Sequence, residues 1–207
     1  LIATIKPRRI EIGSDQYRPP VSIVIPAYNE DSVIANKIEN TLALEYPEDC
    51  LEIVIVSDGS TDKTNEIVEG FAVDPRVKFY IAEERKGKAN ALNIALEKIS
   101  NDIVVFSDSS IILSPDALVQ IVKKFQDESI GCISGEDHIR ESGGEGLYGK
   151  YELYLRNQES KVGSIVGASG SFYAQRRHLC KPFTEGVAPD LLSVLNTVEQ
   201  GYRAISE

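Results

Sequence analysis

Apolar and polar positions fall in blocks rather than singly along the first 125 residues. Three continuous apolar runs, Val21 to Tyr28, Ile53 to Val56 and Ile103 to Phe106, each end in a small acidic cluster: Asn29-Glu30-Asp31, Ser57-Asp58-Gly59 and Ser107-Asp108. Runs of this kind, rich in Val and Ile and without alternation, predict strands buried on both faces. A helical pattern follows each of them, which predicts a parallel sheet with crossover helices. Ligands of such sheets sit beyond the strand carboxyl ends. Glu30, Asp58 and Asp108 are therefore expected to converge on one crevice suited to a charged or metal-bridged small molecule.

The segments between the strands fill in the rest. Asp31 to Leu44 sets Ile34, Ile38 and Leu42 on one helical face, with Asn29 to Asp31 as acceptors for the free amides. Gly59-Ser60-Thr61-Asp62 reads as a turn before a short helix with Ile67, Val68 and Phe71 inward. Val77 to Ile81 predicts a short strand, and Gly87 to Ile99 a helix with Leu92, Ala95, Leu96 and Ile99 inward. Ser114 as cap, Pro115 at the first helical position and a stripe of Leu118, Ile121, Val122 and Phe125 predict a fourth helix. Ile130 to Ser134 reads as a strand, Gly135 to Gly146 as a loop, and Leu147, Tyr151 and Leu155 as a helix reaching Ser160. Gly163 to Ser171 has no period. Asp190 opens a last helix lined by Leu191, Leu195 and Val198 and closed by Gly201. The expected class is α/β: a Rossmann-like, mostly parallel sheet flanked by helices. Residues 1–20 form an extended lead-in and 21–207 a single domain, regular over 21–125 and irregular over 126–207.

Composition narrows the class. Hydrophobic residues make up 42% of 207, enough for a real core. A net charge of -10 argues against a nucleic-acid partner, which clustered Lys and Arg would hold. One basic cluster, Arg85-Lys86-Gly87-Lys88, runs against that trend. Cys50, Cys132 and Cys180 are odd in number and never in Cys-x-x-Cys spacing, which indicates neither a disulfide framework nor a zinc site and suits a cytoplasmic, reducing compartment. No run reaches the roughly eighteen apolar residues of a membrane helix. A start at Leu1 and the absence of Met lead us to expect a piece of a longer protein, with any membrane segment outside it. The basic residues of 1–20 would suit a stretch beside cytoplasmic headgroups.

The strand ends carry the candidate chemistry. Pro26-Ala27-Tyr28-Asn29-Glu30 is not the glycine turn of a dinucleotide site, and no P-loop occurs. Tyr28 offers a ring for stacking and Asp58 an acceptor pair, together suited to a nucleobase and ribose. Alternatively Tyr28 packs under a loop and Asp58 makes a turn with Gly59. Asp108, with Ser109 and Ser110, offers oxygen ligands for Mg2+ or Mn2+ shared with a diphosphate, or else bonds only to turn amides. Lys88 and Arg85 would neutralise a diphosphate at a helix start, or be merely solvated. Asp190 is a general base or simply a helix cap. His138 and His178 have no sequence partners for a triad.

Five segments in order, Ser22 to Glu30, Val56 to Asp62, Gly87 to Asn93, Phe106 to Asp108, and Gly170 to Arg177 with Asp190 to Arg203, resemble family 2 glycosyltransferases over roughly residues 20 to 206. The last segment is similar to the acceptor side of membrane-bound cellulose, chitin, hyaluronan and poly-N-acetylglucosamine synthases. The resemblance implies a GT-A fold and an inverting transfer from a UDP-sugar donor to a glycan or lipid-linked acceptor. It implies that Pro26, Ala27, Tyr28, Glu30 and Asp58 bind the nucleotide, that Lys88 sits near base or diphosphate, and that Asp108 faces ribose, sugar and a divalent cation, Mg or Mn. Asp190 would then be the catalytic base, with Gly170 and Ser171 on the acceptor side. Two positions depart from the pattern: Ser110 stands where Asp-x-Asp has its second carboxylate, and Pro189 where an acidic residue precedes the base. These departures motivate an alternative, a non-catalytic sugar-nucleotide-binding module of the same fold. A sugar-nucleotide pyrophosphorylase would need a Gly-rich basic loop after the first strand, which is missing.

Overall fold

The structure, a computed structural model, describes residues 14, 16–135 and 154–207. Seven strands, β1 (Val21–Ala27), β2 (Leu51–Asp58), β3 (Val77–Ala82), β4 (Ile103–Ser107), β5 (Ile130–Ser134), β6 (Phe172–Arg176) and β7 (Arg203–Ser206), form one sheet in the order β3-β2-β1-β4-β6-β5-β7. Only β6 runs antiparallel to its neighbours β4 and β5; the other pairings are parallel. The expected α/β class and mostly parallel sheet are therefore present. The helices are α1 (Ile34–Leu42), α2 (Thr64–Phe71), α3 (Lys88–Lys98), α4 (Ala117–Val122), α5, described over 154–162, and α6 (Pro189–Glu199).

Strands β1, β2 and β4 are buried on both faces because apolar residues occupy consecutive positions in each. Val21, Ile23 and Ile25 of β1 point to the face covered by Ile34 and Ile38 of α1, Val68 of α2 and Leu118 and Ile121 of α4. Val24, Val54 and Val104 point to the other, under Ala91, Leu92 and Ala95 of α3 and Val194 of α6. The chain therefore changes faces between α2 and α3. That change makes β4 the neighbour of β1 on the side away from β2, and the strand order reverses there.

Several element starts differ from expectation, each for a local reason. Helix α1 begins at Ile34, and the Glu30 carbonyl, not an acidic side chain, accepts from the Val33 and Ile34 amides at 3.0 and 2.9 Å. Helix α4 begins at Ala117 rather than Pro115; Ser114 Oγ donates to Asp116 Oδ1 at 3.1 Å instead of capping. Strands β6 and β7 were not legible: Gln175 and Arg176 interrupt one, and the other is four residues long. Most of the 1–20 lead-in, the 136–146 part of the Gly135 loop and residues 147–153 of the helix before Ser160 lie outside the described residues.

Helix α6 corrects a more consequential expectation. Leu195 and Val198, expected to line it, are 52% and 45% exposed, whereas Ser193, Val194 and Thr197 are buried. The reason is Gln175 on β6, fully buried, whose Nε2 donates to the Ser193 carbonyl at 3.0 Å and to Thr197 Oγ1 at 3.1 Å. A buried amide needs partners, and the polar side of α6 supplies them. Gly131 on β5 allows this close approach: a Cβ there would lie 2.4 Å from Leu179 Cδ1 and 2.8 Å from Thr197 Cγ2. Gly131→Ala is expected to overpack this contact and cost about 1–3 kcal/mol, read as a lower urea midpoint; an unchanged midpoint would show that α6 tolerates a shift.

Candidate active site

The β1 and β2 end loops are bound together by side-chain oxygens that accept from backbone amides. Asn29, at a left-handed φ of 52°, accepts the Thr61 amide on Oδ1 at 2.8 Å. The Asn29, Glu30 and Asp31 amides donate in turn to Ser60 Oγ, Thr64 Oγ1 and Asp62 Oδ2, at 3.1, 2.8 and 3.1 Å. The residues expected to cap α1 are thus spent on joining two loops. Asx side chains tolerate such backbone, which is why Asn stands at position 29.

Asp58, at the end of β2, is 3% exposed. Its carboxylate accepts from the Gly87 amide at 2.6 Å, the Lys86 amide at 3.1 Å and Asn90 Nδ2 at 3.3 Å. It therefore anchors the basic loop in front of α3, rather than making a local turn with Gly59. Gly59 itself is required: at φ +71° a Cβ would lie 2.8 Å from the Arg85 nitrogen. This contact brings Arg85 over Tyr28, with its guanidinium carbon 3.8 Å from the ring centroid, a favourable cation–π arrangement.

Lys88 is the first residue of α3, and its Nζ donates to Asp108 Oδ1 at 2.5 Å and to the Gly170 carbonyl at 3.2 Å. The Asp108 amide donates to the Ser171 carbonyl at 3.0 Å, so β4 and the 169–171 segment meet at one point. A Cβ on Gly170 would lie 3.7 Å from the Asp190 carboxyl carbon. Asp190 sits in the first turn of α6, whose N-cap is Ala188, so it is not the cap. Asn93 of α3 fixes the approach to α6, exchanging two hydrogen bonds with the Phe183 backbone at 2.9 and 2.7 Å.

The result is a cleft of about 250 Å3 beyond the carboxyl ends of β1, β2 and β4. Pro26, Ala27, Tyr28 and Glu30 line it from the end of β1, and Asp58 from the end of β2. Asp108, Ser109 and Ser110 line it from the end of β4, and Arg85, Gly87, Lys88 and Ala91 from α3 and the loop before it. Gly170, Ser171 and Asp190 are not part of this lining and adjoin it through Lys88 and Asp108. Sequence reasoning missed Lys37, on the buried side of α1, whose Nζ donates to Ser107 Oγ and to the Ile111 carbonyl, both at 2.7 Å. Burial lowers its pKa to about 8, with the Asp108 charge opposing. The available signal was a lysine on the Ile34–Ile38 face.

For a divalent cation, the described residues offer no group of three or more His, Cys, Asp or Glu. Mg2+ is commonly held by one or two carboxylates, with substrate phosphates and water completing the shell. Asp108 with the Ser110 hydroxyl fits that pattern.

Strand order and cleft define an α/β domain with its ligand crevice at the switch point. The model of glycosyl transferase family 2 matches residues 22–182, and the chain belongs to that family. It is 30% identical over 161 residues to a poly-beta-1,6-N-acetyl-D-glucosamine synthase of Staphylococcus epidermidis, covering 73% of this chain and 38% of that protein. The chain thus spans well under half the length of this curated relative. A mannosyltransferase from Pyrobaculum calidifontis, solved with GDP-Man and Mn2+, superposes with a TM-score of 0.85 at 31% identity, over 97% of this chain and 58% of that one. TarS 1–349 of Staphylococcus aureus, solved with UDP-GlcNAc, gives 0.69 at 18% identity, over 91% of this chain and 56% of that one. The fold is GT-A.

Asp58→Ala is expected to release the Lys86 and Gly87 amides and cost about 1–3 kcal/mol, with faster hydrogen exchange at both amides; Asp58→Asn, which keeps one acceptor, loses less. Exchange rates unchanged in Asp58→Ala would rule out the anchoring role.

Proposed function

We propose that this domain transfers a sugar from a UDP-linked donor to an acceptor hydroxyl with inversion, in the synthesis of a glycan or polysaccharide. The observation that carries the reading is the meeting of Lys88, Asp108, Gly170 and Asp190 beside a cleft whose other half holds Tyr28 and Asp58. The nucleotide base lies against Tyr28 and Asp58, with Pro26, Ala27 and Glu30 around it. The diphosphate lies toward Lys88, and the sugar toward Asp108.

Asp190 takes the proton of the acceptor hydroxyl while that oxygen attacks the anomeric carbon. The bond from that carbon to the diphosphate oxygen breaks, and UDP leaves with the electron pair. Attack and departure occupy opposite faces, so the configuration inverts without a covalent enzyme intermediate. The Lys88 ammonium, next to the positive end of α3, stabilises the leaving charge. A Mg2+ or Mn2+ held by Asp108 and Ser110 would add Lewis-acid charge at the same oxygen atoms. Gly170, beside the Asp190 carboxyl, and Ser171 form the acceptor side, which takes a glycan or lipid-linked hydroxyl. Residues 21–207 act as one domain in this reading, at the cytoplasmic face of a membrane reached through other segments. Among the described residues no helix is long and apolar enough to cross a membrane.

A second reading concerns the base alone. The mannosyltransferase that superposes at a TM-score of 0.85 was solved with GDP-Man, which favours a guanine donor in the same cleft. Competitive titration of UDP and GDP separates the two.

Asp190→Asn is expected to lower sugar transfer by about 10²–10⁴-fold while UDP affinity stays unchanged. Release of UDP from the donor, followed together with calorimetric UDP binding, measures both; full transfer activity in the variant would remove Asp190 from the role of base and sink the mechanism.

A further inference from the structure

A buried lysine that no step above uses lies directly beneath the cleft floor. Lys37 is 0% exposed, in the same apolar layer as Ile34 and Ile38. Its ammonium donates at 2.7 Å to Ser107 Oγ, at the last residue of β4, and at 2.7 Å to the Ile111 carbonyl, four residues on. The three residues spanned, Asp108, Ser109 and Ser110, all line the cleft. One turn further along α1, Asn40 repeats the grip: its Nδ2 donates to the Leu113 carbonyl at 2.9 Å and its Oδ1 accepts the Leu113 amide at 2.8 Å. The turn is thus held from below by α1 and from the side by Ser171.

An ammonium in an apolar layer carries a desolvation penalty, and a well-packed hydrophobic side chain of similar volume often does as well or better for stability. Both of its hydrogen-bond acceptors are uncharged, so no buried ion pair accounts for it. What the ammonium does, and an apolar side chain cannot, is bond to both ends of the turn at once. The other half of the cleft does not use it: Tyr28 and Asp58 are fixed by the Asn29–Thr61 bond and by the loop before α3.

We propose that Lys37 is a positioning residue whose ammonium locks the 107–111 turn and so sets the diphosphate–sugar half of the cleft independently of the base half. The inference rests on the nucleotide-sugar reading above and adds to it a division of the site into two separately supported halves. Asp108 keeps its place only while both ends of its turn are held. Displacement of a reacting-site group by about 1 Å costs on the order of 10²-fold in rate.

Lys37→Met and Ser107→Ala test this, with uridine as the probe of the base half and donor turnover as the probe of the other. Lys37→Met is expected to lower kcat for UDP-sugar by about 10²-fold and to leave uridine affinity and donor KM nearly unchanged. Ser107→Ala, which removes one acceptor and keeps the ammonium, gives the same split at smaller size and serves if Lys37→Met does not fold. Unchanged turnover in both variants overturns the clamp. So does parallel loss of uridine affinity and turnover, because that is the signature of general loosening. A wild-type protein that binds none of uridine, UDP and GDP overturns the nucleotide-sugar reading and the clamp with it.

Discussion

The site depends on one topological constraint, the reversal of strand order at β1. Strand β1 pairs in parallel with β2 on one side and β4 on the other; the connection from β1 to β2 passes through α1 on one face of the sheet, and the connection into β4 passes through α3 on the other. Brought together at one sheet end, Tyr28, Asp58 and Asp108 line the cleft from three strands. The antiparallel strand β6 closes the far side, because it pairs with β4 and carries the 169–171 segment to the same level.

Charge is distributed over the site in three different ways, with different mechanical consequences. The Asp58 carboxylate is buried and shared among two amides and an amide side chain, so it behaves as fixed scaffold. The Lys37 ammonium is buried and bonded to two neutral oxygens, also fixed. The Lys88–Asp108 pair has side chains 40% and 36% exposed; such pairs contribute little to stability and rearrange cheaply. A diphosphate or a cation can therefore separate Lys88 from Asp108 without unfolding anything around them. The rigid groups frame the cleft, and the exposed pair is the part of its lining that can move.

The parts of the fold that were legible were those with a strong period or an uninterrupted apolar run. β1, β2 and β4 read directly because both their faces are buried, and α3 because Leu92 and Ala95 repeat on one side. β6 did not read because Gln175 and Arg176 are polar, yet Gln175 is fully buried and is the reason α6 turns Ser193 and Thr197 inward. Hydrophobicity therefore put the wrong face of α6 toward the core. The carboxylates and Lys88 were legible because they follow strand ends or open a helix. Lys37 was not, because its role depends on a contact with residues seventy positions away. The pairing of Asp58 with the loop before α3 was hidden for the same reason, across 29 positions to Gly87.

The most direct measurement of the central claim is calorimetric titration of UDP and of GDP into the protein, with and without Mn2+, repeated on Asp108→Ala. The account predicts binding of UDP in preference to GDP, tightened by Mn2+, with the tightening lost in the variant. Absence of binding by either nucleotide under both conditions would contradict it.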